Sequence, residues 1–366
     1  MSQSDSEEQQ LLKIRNSIDA IDAKVHQLLN ERAMAAQEVA RIKLEADPKA
    51  VFYRPEREAQ VLRQVMERNE GPLSDQTVAR IFREIMSSCL ALEKPLNVAF
   101  LGPEGTFTQA AALKQFGHAV NMHPMSTISD VFVDVESNNA DYGVVPIENS
   151  TEGVISHTLD MFISSPLHIC GEVSIRINQN LMSQAKSLDD IKKIYSHKQS
   201  LAQCRGWLDR HLCSDVERIE VSSNAEAARL ASEDPTAAAI AGENAAILYK
   251  LTIMHSNIED EPGNTTRFFV VGKQVVPPSG QDKTSLLLAT RNEAGGLYSL
   301  LSPLADNKVS MTRIESRPSR RGLWDYVFFI DVLGHQQDPE VQQAFAELQK
   351  KASLFKILGS YPQAVL

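Results

Sequence analysis

Arg32 and Lys43 stand eleven residues apart, three turns of an α-helix, and so share one face to within about 20°. Arg15 lies seventeen residues before Arg32, about 100° away around the same axis. Arg57 begins a second helical pattern, and Glu93 ends a third. Cations on a helix are ordinarily solvated; grouped in one pocket, these would hold a small anion. Further along, FLGPEGTFTQAA (100–111) sets glycines between a strand-like run and a helix. It lacks the Lys-Ser/Thr of a Walker loop and the third glycine of a dinucleotide fingerprint. An ordinary tight turn is therefore the simpler reading. Amides at a helix N-terminus nevertheless hold a carboxylate as readily as a phosphate. VVPIENSTEG (144–153) ends an apolar strand in the polar cluster Glu148-Asn149-Ser150-Thr151. NTTRFFVVG (264–272) sets two threonines and an arginine before another strand, and on spacing alone reads as a strand edge with a surface arginine.

A chain of 366 residues has room for two or three domains, and 43% hydrophobic with 23% charged residues is a globular composition. Its 37 basic and 47 acidic residues give a net charge of −10, so neither nucleic acid nor an anionic membrane is expected as a partner. The N-terminal MSQSDSEEQQ is acidic and polar, which does not read as a secretory signal, and no apolar run approaches about 18 residues. Cys89, Cys170, Cys204 and Cys213 form no CxxC pair and read as reduced thiols of a cytoplasmic protein. The histidines show no metal-ligand spacing, so no metal is expected.

Three segments carry different periods. In residues 1–94, Ile14, Ile18, Ile21, Val25 and Leu28 form an amphipathic stripe that continues to Asp47-Pro48. This predicts a first helix of nearly forty residues, about 60 Å long. Tyr53-Arg54-Pro55 starts a second helix, and Ser74 caps a third from about Asp75 to Leu92. One long and two short helices cannot enclose a core, so the stripe predicts an intertwined homodimer. Residues 95–273 alternate short strands with helices, an α/β pattern. Residues 274–283 have the composition of a linker. Residues 284–366 read β-α-β-β-α-β, a ferredoxin-like unit.

The run LLKIRNSIDAIDAKVHQLLNERAMAAQEVARIKLEADP, followed by PEREAQVL, resembles the all-helical chorismate mutase family over residues 8–93. The resemblance implies substrate-site roles for Arg15, Arg32, Lys43, the Arg57-Glu58 pair and Glu93, with Arg54 and Cys89 also at substrate-contacting positions. Rearranging chorismate to prephenate is an intramolecular pericyclic shift that needs no nucleophile or cofactor. Bidentate arginines suit its two carboxylates, and a lysine with a second donor suits the breaking ether oxygen. Arg54 stands where the family is often acidic, and Glu93 where some members have Gln. To donate a hydrogen bond Glu93 must be protonated, so either its pKa is raised or the activity favours acid pH.

GPEGTFT, PIENSTEG, the SHKQSLAQC run and TRF occur in the order found in the prephenate dehydratase family, which this chain resembles over residues 96–272. That implies two α/β lobes like those of periplasmic binding proteins, with the site in the cleft and the last strand returning to the first lobe. Prephenate must lose a ring carboxylate as CO2 and a hydroxyl as water, which calls for carboxylate anchors and a proton donor. The family's catalytic threonine matches Thr266. Thr106, Asn149, Ser150, Thr151, Ser200, Gln203, Ser223 and Phe268 are expected around the substrate, with Arg267 anchoring a carboxylate or bracing the loop. His197 is expected to be a structural hydrogen-bonding residue.

The last segment resembles the ACT regulatory domain through GGL (Gly295, Gly296, Leu297) and TRIESRPSR (312–320). The resemblance implies an L-phenylalanine site with Ser310, Glu315, Ser316, Arg317 and Pro318, held between paired domains. The whole chain then reads as a cytoplasmic, cofactor-free enzyme of phenylalanine biosynthesis under feedback control. The competing readings are an amino-acid sensor without turnover and an enzyme with one inactive site.

Overall fold

The computed structural model describes residues 3–48, 50–290, 293–318 and 326–365. Three helices come first: α1 (Gln3–Ala46), α2 (Pro55–Glu67) and α3 (Asp75–Glu93). Their ends follow from local chemistry. Pro55 occupies the first turn of α2, where a missing N–H breaks no helical bond. The Ser74 hydroxyl accepts the Thr77 amide at 3.3 Å and caps α3. Leu62 and Ala79 bury the face between α2 and α3, and α1 joins them near Ala40. Every described residue of α1 from Glu7 to Glu31 is exposed. The predicted stripe, from Ile14 to Leu28, therefore stands 48–62% exposed in the single chain.

The chain then builds two α/β lobes. The first contains β1 (Asn97–Leu101), α4 (Phe107–Phe116), β2 (Asn121–Met125), α5 (Ile128–Glu136) and β3 (Tyr142–Asn149). It continues through the short β4 (Gly153–Val154), α6 (Ser156–Ser164) and β5 (His168–Arg176). The second contains β6 (Asn180–Ser183), β7 (Lys193–His197), α7 (Lys198–Gln203), α8 (Arg205–His211) and β8 (Glu217–Val221). It ends with α9 (Asn224–Glu233), β9 (Ala237–Ala241), α10 (Glu243–Tyr249) and β10 (Thr252–His255). As predicted, β11 (Thr265–Gly272) returns to the first lobe, and it lies antiparallel between β3 and β5. The sheet orders are β2-β1-β3-β11-β5 and β10-β6-β9-β7-β8. Edge-to-face rings of Phe132, Phe162 and Phe269 fill the first core. Alanines of α9 and β9 pack the second, letting helix and strand approach closely.

The third sheet has the order β13-β14-β12-β15 from β12 (Asp282–Ala289), α11 (Gly296–Asp306), β13 (Met311–Pro318), β14 (Tyr326–Leu333), α12 (Pro339–Lys351) and β15 (Leu354–Pro362). Ser319-Arg320 of the predicted motif lie outside the described residues. One face of this sheet packs on α11 and α12 through Leu286, Leu288, Leu300, Leu304 and Leu348. From the other face, Leu287, Val327, Phe329 and Tyr361 join the core of the first lobe. A Cβ at Gly359 would overlap the Ile169 carbonyl, so this contact requires glycine. The linker-like segment is anchored too. Val276 is buried, and Arg63 of α2 donates to the carbonyls of Ser279 (3.1 Å) and Gln281 (2.9 Å). Among the described residues no helix is long and apolar enough to cross a membrane.

Candidate active sites

The helical segment brings Arg32, Lys43 and Glu93 together. Desolvation raises the Glu93 carboxyl above its usual range, against the opposing charges of Lys43 and Arg32. The Lys43 ammonium sits 5.4 Å from the centre of the Phe52 ring, which holds it over an aromatic face. Cys89 precedes Glu93 by four residues and shares its face of α3. Arg15 is elsewhere: seventeen residues up α1 is about 25 Å along the axis. Arg57 is exposed on the first turn of α2. Arg54 is engaged with Glu56, its Nε 2.6 Å from that carboxylate.

Glu58 does not join this group. One residue past Arg57, it points about 100° away around the helix. It lies in the seam against the first lobe, 3.2 Å from the Arg83 guanidinium, and lines a small cavity with Gln115, Cys170 and Glu172. Burial raises its carboxyl pKa, with Arg83 opposing.

A cleft of about 380 Å³ lies between the lobes and gathers Thr106, Asn149, Ser200, Gln203, Ser223, Thr266 and Phe268. Asn149 is the hub of the first lobe's wall. Its Oδ1 accepts the amides of Thr151 (3.0 Å) and Glu152 (3.1 Å), which fixes the orientation of the carboxamide. Its Nδ2 therefore donates to Asn264 Oδ1 (2.7 Å) and to Thr266 Oγ1 (2.8 Å). Because the Thr266 hydroxyl accepts this bond, its own O–H remains available as a donor.

The second lobe repeats the device. Asn224 Oδ1 accepts from the Ser196 hydroxyl and the His197 amide, so Asn224 Nδ2 donates to Ser200 Oγ at 2.8 Å. Gln179 Nε2 also donates to Ser200, at 3.0 Å, and reaches Gln203 Oε1 at 3.2 Å. Gln179 is 1% exposed, and its Oε1 has no internal partner. His197 caps α7 through Nδ1, which accepts the Gln199 amide at 3.4 Å.

The glycine turn before α4 is a cap. Gly105 has φ +85°, where a side chain would be strained, and its amide donates to the Gln109 side chain at 2.6 Å. Thr106 Oγ1 caps α4, and Ser223 caps α9 from the other lobe. The first-turn residues Phe107, Thr108 and Asn224 line the cleft, so two helix N-termini face it. Ser150 and Thr151 do not line it. Ser150 instead locks the turn, its Oγ accepting the Thr265 amide at 2.9 Å.

Arg267 turns away from the cleft. Neighbouring strand residues face opposite sides, so Thr266 faces the cleft and Arg267 turns outward. Its guanidinium meets Glu172 (2.8 Å) and Asp331 (2.7 Å). It anchors no carboxylate in the cleft, and among the described lining residues there is no lysine or arginine.

Of the regulatory motif, Gly295, Leu297, Ser310, Ser316 and Pro318 are exposed, while Gly296 is buried at the start of α11. Glu315 is half-buried on the edge strand β13. Arg317 is committed to Asp160 (3.1 Å) and Ser156 (2.8 Å) of α6. Sequence reasoning left Gln179 and Asn264 unassigned. Asn264 stands two residues before Thr266, the spacing that places both on one strand face; Gln179 carries no local signal.

A family profile for Prephenate dehydratase matches residues 98–275, one for Chorismate mutase type II matches 14–94, and one for the ACT domain matches 284–349. A protein of Stutzerimonas stutzeri named bifunctional chorismate mutase/prephenate dehydratase is 54% identical over 365 residues, covering 99% of this chain and 100% of that one. A protein of the same name from Pseudomonas aeruginosa is 53% identical with the same coverage. Prephenate dehydratase from Arthrobacter aurescens, solved in complex with L-Phe, superposes with a TM-score of 0.67 at 35% identity, over 73% of this chain and 90% of that one. On fold, ordered motifs and identity along its whole length, the chain belongs to the bifunctional chorismate mutase/prephenate dehydratase family.

Proposed function

We propose that this chain converts chorismate to prephenate on its helical segment and prephenate to phenylpyruvate in its interlobe cleft, with L-phenylalanine as feedback inhibitor. The segments responsible are 1–94, 95–273 and 284–366, joined by 274–283. The observation that carries the second step is the Asn149–Thr266 hydrogen bond. It leaves the Thr266 O–H free to donate to the leaving hydroxyl. As the ring C–CO2 bond breaks, its electron pair enters the ring, the C–O bond departs with its own pair, and the oxygen gathers a proton to leave as water. Aromatisation drives the step. The substrate carboxylates are met by the helix N-termini at Thr106 and Ser223 and by the Ser200 hydroxyl, which are neutral donors held in fixed orientation.

For the first step, Arg32 grips a carboxylate of the dianion, and Lys43 with a protonated Glu93 donates to the ether oxygen. Arg15 reaches this pocket from a second copy of the chain. The exposed α1 stripe supports that assembly, since covering five such side chains would contribute on the order of 10 kcal/mol. A dimer also leaves the edge strand β13 free to complete the phenylalanine site. The test is to give the purified protein chorismate and quantify prephenate and phenylpyruvate separately, with and without phenylalanine. Prephenate forming and then accumulating unchanged would eliminate the dehydratase assignment.

A further inference from the structure

The catalytic pair and its immediate neighbours form two rungs of one ladder. In the β3–β11 register Thr266 lies opposite Asn149, and Arg267 lies opposite Glu148. The first rung faces the cleft; the second faces the third sheet. There it meets another cross-strand rung, because Arg313 of β13 lies opposite Asp331 of β14. The charges match across the gap. Arg313 Nε is 3.0 Å from the Glu148 carboxylate, and Arg267 Nη1 is 2.7 Å from Asp331.

The clasp is buried on the regulatory side: the Asp331 side chain is 2% exposed and Arg313 9%. Glu172, itself paired with Lys283, holds Arg267 from β5 at 2.8 Å. Tyr361 and Ser285 complete the surround, the Ser285 hydroxyl donating to Asp331 at 2.5 Å. Register irregularities follow Arg267 in β11 and precede Arg313 in β13, the local device that re-aims a side chain. β13 also carries Glu315, Ser316, Arg317 and Pro318 within five residues of Arg313.

We propose that Glu148 and Arg267 are positioning residues that fix the Asn149–Thr266 pair by anchoring its two strands to Arg313 and Asp331. A ligand shifting β13 then reaches the dehydratase hydroxyl one residue away along each strand. This rests on the dehydratase reading of the cleft and adds the route by which the regulatory sheet governs it. Neither Arg313 nor Asp331 lines the cleft, so their effect passes through geometry, where a displacement of about 1 Å can cost up to about 100-fold in rate.

The test uses the full-length chain carrying Arg313→Met, Asp331→Asn or the conservative Arg313→Lys. Dehydratase kcat and KM, the response to phenylalanine, and mutase turnover are read on each. The expected result for Arg313→Met and Asp331→Asn is about a tenfold fall in dehydratase kcat with KM for prephenate changed less than about twofold. Inhibition by phenylalanine is blunted and mutase turnover is unchanged, while Arg313→Lys recovers part of the lost kcat. Unaltered kcat and unaltered inhibition in both variants would overturn the proposal. So would equal loss of both activities, or Arg313→Lys behaving like Arg313→Met. A wild-type protein that leaves prephenate untouched would instead count against the dehydratase reading itself.

Discussion

On the helices, Arg32 and Lys43 meet Glu93 on an open surface, and the fourth charged group, Arg15, lies about 25 Å away along α1. Between the lobes, Thr266, Asn149, Ser200 and Asn224 are tied into a preorganised hydrogen-bond frame within one chain, with no lysine or arginine among the lining residues described. On the proposed reading, one pocket answers a dianion with formal charge and takes Arg15 from a second copy. The other answers with hydroxyls and helix ends, and is already assembled. Full charges work across an open, watery site; neutral dipoles suffice only where they are fixed and water is largely excluded.

The comparison can be broken most severely at Thr266. Thr266→Ala should lower dehydratase kcat by about 1000-fold and leave mutase turnover intact, as read by separate assays on prephenate and chorismate. Lys43→Ala should do the converse, lowering mutase kcat/KM by about 100-fold with prephenate conversion unaffected. Asn264→Ala removes one acceptor of the Asn149 carboxamide beside Thr266 and should cost the dehydratase about tenfold in kcat. The pH profile sharpens the contrast. Because burial raises the Glu93 pKa, the acid form that donates persists to higher pH than for an ordinary glutamate, and mutase turnover falls as pH rises through that value. Glu93→Gln, a donor at every pH, should flatten that fall. The smallest effect is with salt: raising ionic strength from about 0.05 to 0.5 M should raise KM for chorismate about threefold and KM for prephenate less.

Much of this was legible in the chain. Pro55 and Ser74 mark helix starts that the structure reproduces, and the Ile14–Leu28 stripe announced a face with nothing to cover it in a single chain. TRFFVVG was readable as a strand returning to the first lobe. Less legible were the strands of β2 (NMHPM), β8 (ERIEV) and β10 (TIMH), whose pairing outweighs weak local patterns. The helical run LAQCRGWLDR is divided at Cys204 into α7 and α8. Composition also misrepresented 274–283, since Val276 and Arg63 pin it. The roles of Arg267 and Glu58 depend on direction rather than identity: each sits beside a residue on the expected face and points away from it. Strand alternation could have separated Arg267 from Thr266, but only tertiary structure supplies Asp331 as its partner.

Complementation tests the difference between the two sites most directly. Arg15→Ala and Lys43→Ala chains, each impaired as a mutase, are mixed, dissociated and reassociated, and a Thr266→Ala chain is mixed with an Asn149→Ala chain in the same way. If the helical site draws Arg15 from one copy and Lys43 from the other, half the dimers are mixed and half their sites complete, restoring roughly one quarter of wild-type mutase turnover. The dehydratase mixture should regain nothing beyond its parents. Mutase activity that stays at the parental level, or dehydratase activity that returns on mixing, would contradict the account.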